Sequence, residues 1–164
     1  MKKLLIVLLA LPMLGFGQTA EDYFNKAEDY AENEQYQLAI DNYTKCLKLE
    51  TDDADAYYNR GNAYYKLENY TAAIADYTSA IRINPDYAKA YYNRGISYRK
   101  LGNYTAAIAD YTSALRIDPD DADAYRNRGL AKAKSGQSSC SDYKRACNLG
   151  LEECCKWYKE DNCR

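Results

Sequence analysis

The chain has 164 residues and a formal net charge of −2, with 47% hydrophobic and 28% charged residues, the balance of a globular domain in water. The slight acidity excludes the basic stripe that nucleic-acid binding asks for. Histidine is absent, which removes the commonest general base and metal ligand, whereas tyrosine is abundant at 19 residues and suits a thin fold whose core side chains end near water.

At the N-terminus Lys2 and Lys3 precede an apolar run over 4–14, and Gly15 and Gly17 supply the small residues for cleavage after Gly17. This predicts a secretory signal peptide over 1–17; a membrane span needs about 20 apolar residues. The remainder is expected to be exported, periplasmic or extracellular in a bacterium, and not integral to a membrane.

Beyond the leader the sequence repeats. Residues 55–61 return in near-copy at 89–95 and 123–129, each step 34 residues, and 69–77 returns unchanged at 103–111. The units are 20–53, 54–87, 88–121 and a shortened 122–149; together 18–149 form the repeat region, and 150–164 a Cys-rich cap. Tyr57, Gly61 and Tyr64 share one face of a first helix, and Ala73, Tyr77 and Ala80 one face of a second. Glu68-Asn69 and Gly102-Asn103 mark the turns, while Pro85 and Pro119 punctuate unit ends. Gly61, Gly95 and Gly129 are costly inside helices and predict close helix packing, with Ala73 and Ala107 opposite. The periodic Arg60, Arg94 and Arg128, with Asp76 and Asp110, predict repeated structural salt bridges.

Aromatic, Gly, aromatic, Ala, aromatic, Ala and Pro at unit positions 4, 8, 11, 20, 24, 27 and 32 resemble the tetratricopeptide repeat. Units 2 and 3 fit throughout. The first departs at Ala27, Cys46 and Thr51, and the fourth at Lys132. The resemblance implies an all-α fold: a right-handed solenoid of antiparallel helix pairs, with four repeats and a C-terminal capping helix.

Five of the six cysteines lie in the last 25 residues, and export makes disulfides the expected state. If 138–149 and 151–160 form a helical hairpin turning at Gly150, partners sit equidistant from the turn. That pairs Cys147 with Cys155 and, outside them, Cys140 with Cys163. Cys154 is left over, and Cys46 is expected to be a buried thiol. The stretch 147–155 also resembles the disulfide-bridged helix pairs of Sel1-like secreted repeat proteins. With no C-x2-C spacing and no His, neither a metal nor a cofactor is expected.

In tetratricopeptide proteins the first helices line a concave groove through unit positions 2, 5, 6, 9 and 13. Position 6 is Asn25, Asn59, Asn93 and Asn127. Each amide can pair with a peptide backbone in both directions, so the four read either as a ladder for an extended chain or as ordinary residues on a wet face. Position 5 gives Phe24, Tyr58, Tyr92 and Arg126, read as seats for ligand side chains or as packing between first helices. Asn62, Lys89 and Arg99 complete the candidate set. Charge is lopsided, with Glu21, Glu28 and Glu32 at one end and Lys89, Arg99, Lys100, Arg126 and Lys134 at the other, so an acidic ligand segment is expected over units 3 and 4. The clamp by which chaperone-binding members hold a terminal carboxylate is not expected: of Phe24, Glu28, Asn59, Lys89 and Asn93, only Asn59 and Lys89 match it.

The function expected is a non-catalytic module that binds a protein or peptide partner in the groove. The alternative is a self-associating envelope scaffold, a homo-oligomer. No Ser-His-Asp set, phosphate loop or metal spacing supports an enzyme.

Overall fold

The protein is described by a computed structural model over residues 18–160; the expected signal peptide and Cys163 lie outside the described residues. Nine α-helices and no strand occur among them: α1 (Ala20–Glu32), α2 (Tyr36–Leu49), α3 (Ala54–Lys66), α4 (Tyr70–Ile83), α5 (Ala88–Lys100), α6 (Tyr104–Ile117), α7 (Ala122–Lys134), α8 (Cys140–Asn148) and α9 (Glu152–Glu160).

Helix starts follow local chemistry. Thr19 and Asp22 close a capping box on α1, with reciprocal bonds of 3.1 and 2.8 Å. Asp53 and Asp121 each accept from a first-turn N–H at 2.9 Å, and Asn69 and Asn103 do the same for α4 and α6. Tyr87 holds the position of Asp53 and Asp121 but makes no cap; its hydroxyl donates to Asp55 Oδ1, at the start of the same unit, at 2.6 Å. The reversals within units pass through a left-handed residue: Glu34 at φ 58°, Glu68 at 59°, Gly102 and Gly136 at 76°.

The helices stack as a solenoid. Each first helix pairs with the second helix of its unit, each second helix packs on the next first helix, and α1, α3, α5 and α7 lie side by side. The core is thin and built from small residues around one large ring per unit: Tyr43, Tyr77 and Tyr111 are buried, among alanines such as Ala27, Ala39, Ala73 and Ala107. The glycines face those rings. A Cβ built on Gly61 would lie 2.8 Å from Tyr77 Cε1, on Gly95 2.8 Å from Tyr111 Cε1, and on Gly129 2.6 Å from Tyr143 Cε1. Tyrosine, rather than the expected Ala73 and Ala107, is therefore what the missing side chain admits, because the atoms nearest to such a Cβ all belong to the ring of the second-helix tyrosine.

The predicted ion pairs form and reach further than one unit. Arg60, Arg94 and Arg128 are bidentate to Asp76, Asp110 and Asp142, at 2.7–3.1 Å. Each also donates Nη1 to a threonine of the previous unit, Thr44, Thr78 and Thr112, at 3.0, 3.0 and 3.1 Å. One guanidinium thus ties three helices together, and each lies over a first-helix tyrosine, Tyr57, Tyr91 and Tyr125.

At the C-terminal end α8 and α9 turn at Gly150, φ 102°, and a disulfide joins Cys147 to Cys155 with Cα atoms 4.8 Å apart. Trp157 meets Tyr143 edge-on at 5.3 Å, and Cys154 is a buried free thiol beside them. Cys46 is the other buried free thiol. The far end of the expected Cys140–Cys163 pair lies outside the described residues.

Candidate binding groove

Concavities open along the side-by-side first helices, and three of them have a distinct lining. The N-terminal one, about 400 Å³, is lined by Phe24, Asn25 and Cys46 and by four carboxylates, Glu21, Glu50, Asp53 and Asp55. The next, about 310 Å³, contains Glu32, Glu34, Tyr43, Asn59, Asn62 and Lys66. The third, about 320 Å³, is lined by Asn62, Tyr65, Lys66, Tyr77, Asn93 and Ile96, with Lys66 its one charged residue. Charge therefore runs from acidic to basic along the face, and Arg99 and Lys100 continue it one unit beyond Tyr65 and Lys66.

The four position-6 asparagines are not equivalent. Asn25 is exposed, Asn59 and Asn93 are half-buried, and Asn127 is buried. Asn93 Nδ2 donates to Tyr58 Oη at 3.1 Å and Asn62 Oδ1 at 2.9 Å. Asn127 Nδ2 donates to Tyr92 Oη and to the Asp123 carbonyl, both at 2.9 Å. These amides bond to the preceding unit instead of presenting their donors to a ligand. Position 6 thus turns toward position 5 of the unit before.

Position 5 is packed as well as groove-facing. Phe24 meets Tyr43 edge-on at 5.6 Å, Tyr58 lies 5.9 Å from Tyr77 and 4.9 Å from Tyr87, and Tyr92 lies 5.9 Å from Tyr111. Burial pushes the Tyr92 hydroxyl up to about 12, the carboxylates of Asp123 and Asp121 adding to the rise, so it stays a neutral donor and acceptor at ordinary pH. Arg126 is not an open cation. It pairs with Glu153 of α9 at 2.8 Å and with Asp123 at 2.7 Å. Lys89 is exposed at the start of α5, and Arg99 is half-buried near its end.

Several lining residues lie outside the groove positions that the repeat pattern singles out, namely Tyr65, Tyr77, Glu50 and Asp53, whereas Lys66 occupies position 13 of its unit. Tyr77 reads as core from sequence, yet its hydroxyl reaches the groove, donating to Asn62 Oδ1 at 2.8 Å. Among the described residues no His, Cys, Asp and Glu cluster is arranged to hold a metal ion, and no helix is long and apolar enough to cross a membrane.

A family model described as TPR repeat matches residues 27–68, 61–102 and 97–136. No curated protein matches the sequence significantly. Among solved structures, a crystal structure of MamA is similar at 29% identity and a TM-score of 0.78, covering 82% of this chain and 80% of that one. The first TPR of Spaghetti (RPAP3), bound to the HSP90 peptide SRMEEVD, is similar at 28% identity and 0.71, over 73% and 95%. The TPR domain of Arabidopsis OM64 is similar at 29% identity and 0.67, over 70% and 94%. Stacked helix pairs, glycines set against second-helix tyrosines and a family match running through three consecutive segments agree, and the chain belongs to the tetratricopeptide-repeat family.

Proposed function

We propose that the chain is a non-catalytic interaction module that holds a partner's extended segment along the concave face of α1, α3, α5 and α7. The observation that carries this reading is the row of three concavities of 310–400 Å³ on one face, lined by aromatic rings, amides and a graded set of charges. Such a face offers stacking surface, hydrogen-bond partners and electrostatic orientation together. The gradient favours a segment whose acidic part lies over units 3 and 4. The similar RPAP3 domain holds a peptide with two glutamates and a terminal aspartate, which agrees in charge. This chain has only part of the chaperone clamp, so the partner proposed is a different one.

We further propose that the module works outside the cytoplasm, as the apolar leader and the Cys147–Cys155 disulfide suggest. Mass analysis of the protein from its native host, with an N-terminus at Gln18 expected, tests export.

A photo-crosslinking residue tests the groove, placed at Lys66 or Lys100 on the concave side and at the exposed Arg82 of α4 as control. Partner adducts from positions 66 and 100 alone support the reading. Adducts from position 82 alone sink it, and adducts between copies of this chain would point to the self-associating scaffold.

A further inference from the structure

We propose that the concave face runs past unit 4 onto α9, where Lys156 and Trp157 take an acidic stretch of the bound segment; the inference rests on the groove reading above. α9 lies beyond the last repeat that the sequence shows, yet it keeps the register of a first helix.

Three positions along α9 carry that register. The third residues of α3, α5 and α7 are Ala56, Ala90 and Ala124, all 0% exposed, and the third residue of α9 is Cys154, also 0% exposed. Ala56 joins the core around Tyr43 of the unit before, and Cys154 the core around Tyr143. The sixth residues of α3 and α5, Asn59 and Asn93, share a concavity with the buried tyrosine of the unit before, Tyr43 and Tyr77. The sixth residue of α9 is Trp157, which meets Tyr143 of the unit before at 5.3 Å. The second residue of α7, Asp123, acts through its charge on Tyr92, the fifth of α5. The second residue of α9, Glu153, pairs with Arg126, the fifth of α7, at 2.8 Å. α9 is thus the first helix of a fifth unit. Its eighth residue is Lys159, where α3, α5 and α7 carry the glycine that admits a second-helix ring, which marks it as a first helix without a second of its own.

The register also gives the groove-facing residues. In α1 the second, fifth and sixth residues, Glu21, Phe24 and Asn25, line the N-terminal concavity. In α9 the same places hold Glu153, Lys156 and Trp157. Glu153 is taken up by Arg126, which also pairs with Asp123 at 2.7 Å, so these three charges answer one another. Lys156 is exposed and Trp157 half-buried. An ammonium beside an aromatic ring suits the carboxylate and the apolar stem of an Asp or Glu side chain. Exposed lysines also end α3, α5 and α7, at Lys66, Lys100 and Lys134, so Lys156 continues the basic half of the face onto the cap. The Cys147–Cys155 bond ties α9 to α8 and holds this added rung in place.

Trp157 is the only tryptophan of the chain, so its emission reports on the rung directly. The probe is an acetylated and amidated Gly/Ser peptide with four central glutamates, beside the same peptide with glutamines. A saturable change in emission is expected with the glutamate peptide and none with the glutamine peptide, and raising the salt concentration should weaken it. Lys156→Gln should weaken this binding roughly threefold. Arg82→Gln, an equal loss of charge at an exposed residue of α4, should leave it unchanged. Both positions are exposed, so the helical circular dichroism and the melting temperature should be kept. An emission unmoved by the glutamate peptide, an equal change with the glutamine peptide, or a Lys156→Gln variant that binds as well as Arg82→Gln overturns the proposal. The groove reading stands or falls separately: crosslinks from positions 66 and 100 with a silent Trp157 would keep the groove and remove the rung.

Discussion

The ring of Tyr77 fills the space that a side chain on Gly61 would need, its Cε1 only 2.8 Å from where a Cβ would stand. Tyr77 is 1% exposed and cannot swing aside. In unit 1 the same position is Ala27, also buried, against Tyr43. Gly95→Ala should therefore destabilise by about 1 kcal/mol, overpacking of about 1–3 kcal/mol outweighing the helix-propensity gain of about 1 kcal/mol. Ala27→Gly should cost about 1 kcal/mol in the same direction. Urea unfolding of both variants checks this pair, and a stabilised Gly95→Ala would show that the ring yields.

Arg94 ties α5 to both neighbouring second helices, through Asp110 and Thr78. Its side chain is 16% exposed and that of Asp110 only 7%, so removing one partner leaves a charge in a poorly hydrated place. Arg94→Leu is expected to cost about 2–4 kcal/mol, and Arg94→Leu with Asp110→Leu much less than twice that. Lysine at 94 should not rescue, since it lacks the fork that spans three helices. Thermal melts of the four proteins decide.

Glu68 holds a left-handed backbone, φ 59°, where the next unit has Gly102. Glu68→Gly relieves a strain of about 1–2 kcal/mol and loses part of it to unfolded-chain entropy. A net gain of about 0.5–1 kcal/mol is expected in chemical denaturation.

Burial, first among the causes, raises the hydroxyls of Tyr43, Tyr77, Tyr87 and Tyr111 above the ordinary phenol range, with Tyr92 at about 12. A group that holds its proton more tightly when folded contributes stability that is whole below its unfolded value, about 10 for tyrosine, and is lost as pH rises through the folded one. Melting temperature should be insensitive to these groups up to about pH 9 and fall steeply above about pH 10. Phenolate absorbance should appear together with the loss of helix, and early phenolate in a still-helical protein would contradict it.

The helix pairs and their turns are legible because period, caps and small residues are local signals. The hairpin at Gly150 is legible for the same reason. The detail of the groove is not. Whether Asn93 and Asn127 point to a ligand or to the preceding unit depends on how neighbouring first helices pack, which no single helix encodes. Arg126 reads as an open cation until α9 brings Glu153 within 2.8 Å. Tyr77 and Tyr111 carry the same core signal, yet Tyr77 donates to Asn62 Oδ1, an acceptor that the third unit replaces with Ile96.

The substantial helix contacts of this chain join helices that follow one another in sequence, or a first helix to the next first helix. Contacts of such short span form quickly and without long loop closure. Among the described residues they also give no clasp between the first helix and the last. Under tension it would lengthen by releasing helices one after another from a terminus, each step breaking one set of neighbour contacts. At the cap, the Cys147–Cys155 bond holds α8 and α9 as a knot that force alone does not open.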